Sequence, residues 1–138
     1  MLYLFFDKGI DWANDTIKVA LLNATYSESL GDEWFSDVSA KEVSGTGYSS
    51  GGSTLTGKTA ARDETNGKIT FSASFLTFST VSLTNVGYAV IYKSTGVAGT
   101  SPLIKIVDLR SGGVGRNVTS DDINLQWAET GIYVQRPV

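Results

Sequence analysis

The sequence predicts an all-β fold: an antiparallel two-sheet β-sandwich, jelly-roll-like, built from about eight short strands. Two observations carry this. Gly, Ser and Thr number 15, 16 and 15, a third of the 138 residues, which favours turns and pleated backbone over helix. Apolar residues recur at period two in short segments separated by turn signals, and no long segment repeats at the helical period. At 138 residues with 41% hydrophobic content, the chain is expected to form one domain over 1–138 with its own core, residues 1–15 serving as an N-terminal arm or anchor.

The elements follow in order. Around the segment Tyr3 to Trp12, the apolar residues Leu2, Phe5, Phe6 and Ile10 suit one face of a short N-terminal helix or an edge strand equally, and Asp11 to Asp15 breaks the pattern. Ile17, Val19 and Leu21 alternate with Thr16, Lys18 and Ala20, as in a strand with one buried face. Ser27 to Val43 reads as a long anchored loop holding one helical turn, and Gly45 to Gly52 as a flexible glycine-rich crossing. Thr54 to Ala60 is the next strand. Asn66-Gly67 signals a tight hairpin, after which Ile69, Phe71 and Ala73 alternate inward. Phe75 to Leu83 has mixed periodicity and is expected to be a strand end and a corner. Val86 to Tyr92 is apolar on both faces, the mark of a central strand. Leu103 to Leu109 forms another strand, Ser111 to Ser120 a second Gly-rich loop, and Ile123, Leu125 and Trp127 share the face of a further strand, with Ile132 to Val134 beyond Gly131.

Composition removes several chemistries. With no His and no Cys, the chain cannot supply a Ser-His-Asp triad, a Cys nucleophile or a Cys/His zinc site. A net charge of −3 leaves no broad basic field for nucleic acid. Met1 to Phe6 is apolar but lacks a basic leader and stops at Asp7-Lys8-Gly9, too short for a signal core or a membrane span. Gly52 to Thr59 spells a phosphate-binding loop, G-x-x-x-x-G-K-[ST], yet it lacks the preceding buried strand and the following helix that such a loop requires. The expected alternative is a strand with a Gly bulge. The pairs Asp32/Glu33, Asp63/Glu64 and Asp121/Asp122 fall in turns, where adjacent carboxylates serve as solvated caps rather than as an acid/base pair or calcium ligands. No cofactor, metal site or catalytic residue is expected.

The remaining candidates are contacts. Trp127 belongs to the core by its alternation. Trp12, Trp34 and Phe35 lie in irregular segments, where an anchor on the domain and a contact with a partner are equally compatible with the pattern. Leu2, Leu4, Phe5 and Phe6 form an apolar run that must pack on its own domain or dock on a neighbour.

Ile10-Asp11-Trp12, Asp15 to Leu22, Ser36-Asp37-Val38 with Glu42 to Tyr48, Tyr88 to Gly96 and Thr100 to Ile104 resemble blocks of a family of small tailed-bacteriophage virion structural proteins. The similarity runs over residues 10 to 134 and consists of strand and turn residues, so it carries no chemistry of its own. It implies a non-enzymatic virion component, assembled in the host bacterial cytoplasm. Such a component would be a capsid decoration or cement protein that binds the major capsid protein or another virion protein, as a dimer or trimer, without nucleic acid or membrane. A tail or fibre module that binds host-surface glycan through exposed aromatics is the alternative. The partner-binding residues expected are Leu2, Leu4, Phe5, Phe6, Trp12, Trp34 and Phe35. Deleting residues 1–6 is expected to lower capsid occupancy in a particle-binding measurement; unchanged occupancy removes the N-terminal contact.

Overall fold

The computed structural model describes residues 9–127 and 132–135. Among them, eight strands form two antiparallel sheets, as composition and periodicity predict. They are β1 (Ile17–Asn23), β2 (Ser53–Thr54), β3 (Thr59–Asp63), β4 (Lys68–Ser72), β5 (Leu76–Lys93), β6 (Leu103–Asp108), β7 (Arg116–Leu125) and β8 (Tyr133–Gln135). The larger sheet runs β2-β1-β5-β6, with β7 also paired to β5, and the smaller runs β3-β4-β8. One short α-helix, α1 (Phe35–Val38), supplies the helical turn expected in the long loop. The short N-terminal helix or edge strand considered for residues 3–12 falls mostly outside the described residues.

The pair β1–β5 is apolar on both faces, and each face has a different cover. Ile17, Val19 and Leu21 with Ala89 and Ile91 enter a core that also holds Leu55, Phe71 from the smaller sheet and Ile132. Ala20 and Leu22 with Tyr88, Val90 and Tyr92 enter a second core, closed by Tyr26, Phe35 and Val38 from the segment between β1 and β2. One face of the central strip therefore meets the smaller sheet, and the other is roofed by a loop and α1.

Strand β5 is 18 residues long, where the sequence suggests a corner followed by a shorter strand. Straight, it would span about 60 Å at about 3.3 Å per residue, too long for a domain of this size, whose radius of gyration is about 14 Å. β-bulges bend it. The β5–β7 register slips between Phe78 and Val81, Val81 and Leu83, and Leu83 and Val86, with the extra residue on β5, then β7, then β5. Thr80, Asn85 and Ser120 lie in these three intervals, and among the described residues they are the non-glycine residues with positive φ (50°, 58° and 47°). Each has its N–H capped by a side chain from the facing strand: Thr80 donates to Asp122 Oδ1 (2.8 Å), Asn85 to Asn117 Oδ1 (2.8 Å) and Ser120 to Ser82 Oγ (3.0 Å). The bulges reset the period, so Phe78, Val81, Leu83 and Val86 all turn inward although they are spaced by three, two and three.

Four local expectations need correction. Residues 116–120 belong to β7 rather than to the Gly-rich loop, because β7 continues in line with β6 along the same flank of β5. Thr54 to Ala60 is not one strand: Ser53 and Thr54 pair with β1, and after a crossing at 55–58 the chain joins the other sheet as β3. The β3–β4 hairpin forms, but Asp63 pairs with Lys68, so its loop is the four residues 64–67 rather than a two-residue Asn-Gly turn. The 45–52 crossing is laid against the larger sheet, with Ser82 N–H donating to Thr46 O (2.9 Å).

Thr80 is β-branched in the left-handed region, a strain of about 1–2 kcal/mol. Thr80→Gly is expected to raise the unfolding free energy by about 0.5–1 kcal/mol, the relief of that strain less the added chain entropy. Asp122→Ala is expected to lower it by about 1 kcal/mol by leaving the Thr80 N–H to water. Urea unfolding of the two variants checks both signs.

Candidate interaction surface

The segment after β1 builds one wall of a groove. Asn23 Oδ1 accepts Thr25 N–H (3.0 Å) and the Thr25 hydroxyl, which turns the chain off the sheet. The Tyr26 ring meets Tyr88 edge-on, at 5.3 Å between centroids and 81° between planes, and its hydroxyl donates to Asp32 Oδ2 (2.7 Å). Asp32 N–H donates to Ser29 O (3.1 Å), so Leu30 is carried out on the apex of a closed turn. Leu30 is fully exposed. The chain then returns beside β6, where Leu103 N–H donates to Glu33 O (2.9 Å) and Phe35 N–H to Ser101 O (2.8 Å).

The other wall is β6 itself, the outer strand of its sheet. Between the walls lies a groove of about 590 Å³ lined by Tyr26, Glu28 to Leu30, Asp32 and Leu103 to Ile106. Glu28 and Lys105 are among the lining residues, and the Lys105 ammonium is engaged by Ile132 O (2.7 Å). At the far end of β6, Arg110 makes two bonds to Asp108 (3.0 and 2.9 Å) and lies over the Tyr88 ring at 4.8 Å. The Arg110 guanidinium holds the Asp108 carboxyl down to about 2.

The expected contact residues separate. Leu2, Leu4, Phe5 and Phe6 lie outside the described residues. Trp12 is 3% exposed, its ring edge-on to Phe71 at 5.8 Å and its indole N–H donating to Ser72 O (3.1 Å), so it anchors residues 9–15 on the smaller sheet rather than facing a partner. Phe35 is 7% exposed and stacks flat on Tyr92 at 4.2 Å, which makes it core as well. Trp34 is half-buried at the start of α1, where Asp37 accepts the Trp34 and Glu33 N–H groups (2.9 Å each). Those two bonds lower the Asp37 carboxyl below its ordinary range. Trp127 packs half-buried against the first core and donates to Ser74 O (3.0 Å). Leu30 and the β6 groove escape sequence reasoning, because a lone Leu in a polar loop has no period to mark it.

The other motifs resolve into structure. Gly52 presses on β1, where a Cβ would come within 1.9 Å of Val19 O; Thr59 opens a strand, not a helix; and Lys58 Nζ donates to Asp15 O. No phosphate cradle forms there. Asp63 caps the β3–β4 loop, Asp121 and Asp122 lie within β7 rather than in the expected turn, with Asp122 capping the Thr80 bulge, and among the described residues no three His, Cys, Asp or Glu side chains come together. The half-buried Glu42 carboxylate accepts from the Tyr48 hydroxyl (2.9 Å), the Ser50 hydroxyl (3.1 Å) and Gly51 N–H (2.8 Å). Tyr48 in turn accepts Leu21 N–H (2.9 Å), and Tyr92 donates to Gly51 O (2.6 Å), so Glu42 fastens the glycine-rich crossing to the central sheet.

Burial, with the nearby Glu42 charge, raises the Tyr48 phenol and pushes Tyr92 up to about 12; burial and the Asp32 bond raise Tyr26. In the unfolded chain these phenols ionise near pH 10, whereas folded they keep their protons higher. Their contribution is therefore complete below about pH 10 and is lost as pH rises through the folded values, about 12 for Tyr92. Tyr48→Phe is expected to cost about 1–2 kcal/mol at neutral pH, by leaving Leu21 N–H unpaired, and to flatten the alkaline fall in stability. Denaturant unfolding at neutral and alkaline pH checks both.

Compared with protein-family models, curated proteins and solved structures, the chain matches none.

Proposed function

We propose that the protein is a non-enzymatic structural component of a tailed-bacteriophage particle, a decoration protein that holds to the outer surface of the major capsid protein. The observation that carries the adhesive reading is Leu30, an apolar side chain fully in solvent on the rim of the β6 groove. The stretches that resemble phage virion proteins supply the particle as its setting. The chemistry is consistent with this, since the carboxylates with bonding partners act as caps and fasteners within the fold rather than converging on a cleft. A lattice site of this kind suits a dimer or trimer. The glycan-binding alternative has less support: Trp12 is buried, Trp127 is half-buried with its N–H engaged and Trp34 is half-buried, which leaves Phe75, with no polar group to orient a sugar, as the well-exposed aromatic among the described residues outside β8.

Capsid shells of the phage, stripped of this protein and mixed with the purified chain, test the proposal. The wild type is expected to co-sediment with the shells. Leu30→Asp, at a fully exposed position, is expected to fold normally by circular dichroism and to bind at least about tenfold more weakly, the loss that one buried leucine side chain implies. A wild-type chain that stays in the supernatant overturns the capsid reading, and equal binding by Leu30→Asp overturns the groove as the contact.

A further inference from the structure

We infer that Asn66 is a self-modification site, at which the Gly67 backbone nitrogen cyclises onto the Asn66 side chain and expels ammonia, and that Asp63 restrains this reaction in the folded turn. Asn66-Gly67 is the one Asn-Gly pair in the sequence. Both residues are exposed, in the four-residue loop between β3 and β4. Gly67 has φ of 63° and no Cβ to shield its N–H, so its nitrogen is open to a neighbouring carboxamide.

The chemistry balances without an oxidant or a metal. As Gly67 N gives up its proton and bonds to Asn66 Cγ, the Cγ–Nδ2 bond breaks and Nδ2 departs as ammonia with that proton. Water then opens the resulting succinimide at either carbonyl, giving aspartate or isoaspartate.

Asp63 holds the reacting group. Its Oδ2 accepts from Asn66 Nδ2 (2.8 Å) and its Oδ1 from Asn66 N–H (3.2 Å), so the carboxamide is tied to residue 63 and must be released before Cγ can reach Gly67 N. The same bonds lower the Asp63 carboxyl, which keeps it an anionic acceptor at neutral pH. Either product places a new carboxylate beside Asp63 and Glu64. Isoaspartate also lengthens the main chain inside the loop that sets the β3–β4 register, and with it the inward aim of Phe71.

The test incubates the purified full-length protein, natively folded and in denaturant, at mildly alkaline pH, and follows all its asparagines by peptide mapping with isoaspartate detection. Asn66 is expected to convert before Asn14, Asn23, Asn85, Asn117 and Asn124. In the native state Asp63→Ala is expected to react about tenfold faster than wild type, and in denaturant the two rates are expected to converge. Earlier conversion at another asparagine overturns the site. Equal native rates, or a tenfold gap that persists in denaturant, overturn the restraint by Asp63.

Discussion

Ile17, Val19 and Leu21 on one face of the β1–β5 pair, and Ala20 and Leu22 on the other, leave neither side of this strip able to meet water. Two covers are needed, and the chain supplies them by different means. The smaller sheet and Trp12 close one side. On the other, the excursion between β1 and β2 folds back, driven by the aromatic contacts of Tyr26 and Phe35 with Tyr88 and Tyr92. The groove is a by-product of that second cover: the loop must leave the sheet and return, and Leu30 rides at its apex.

The same constraint explains the glycine-rich crossing. A segment with so many small residues would have little reason to hold one path, yet it lies along β5 at Thr46 and along β1 at Gly52. Glu42 fixes it by gathering three donors from within nine residues, and Tyr48 and Tyr92 extend the bond set into the sheet. A half-buried carboxylate so fully satisfied is a fastener. Burial is the main reason both phenols are reluctant to ionise, and the Glu42 charge adds to it.

Legibility in the sequence follows the regularity of the backbone. Strand β1 and residues 88–92 of β5 keep a period of two, and their apolar residues alone locate them; β6 is apolar enough to be found although a bulge at Ile104 puts Leu103 and Ile106, three apart, on one face. The N-terminal half of β5 and the start of β7 are obscured because Thr80, Asn85 and Ser120 each insert a residue, turning a period of two locally into three. Trp12 and Phe35 escape placement because their burial depends on Phe71 and Tyr92, distant in sequence. The turn at Asn66 is recognisable from its residue types, but its width is set by Asp63, whose side chain reaches forward to bond Asn66.

Strands β6 and β7 lie end to end along one flank of β5, so residues 76–125 are in effect a single antiparallel ribbon closed by the loop at 94–102. Its contacts are near neighbours in the chain at the closed end, whereas β1 must find β5 across some seventy residues, as in the pairing of Val19 with Ile91. Loop closure penalises the second kind of pairing far more than the first. The ribbon is therefore expected to zip early from its closed end, and docking of β1 to set the pace of folding. Until β1 arrives, the apolar flank of β5 stands open, which is the stage at which a nascent chain would most readily stick to its neighbours.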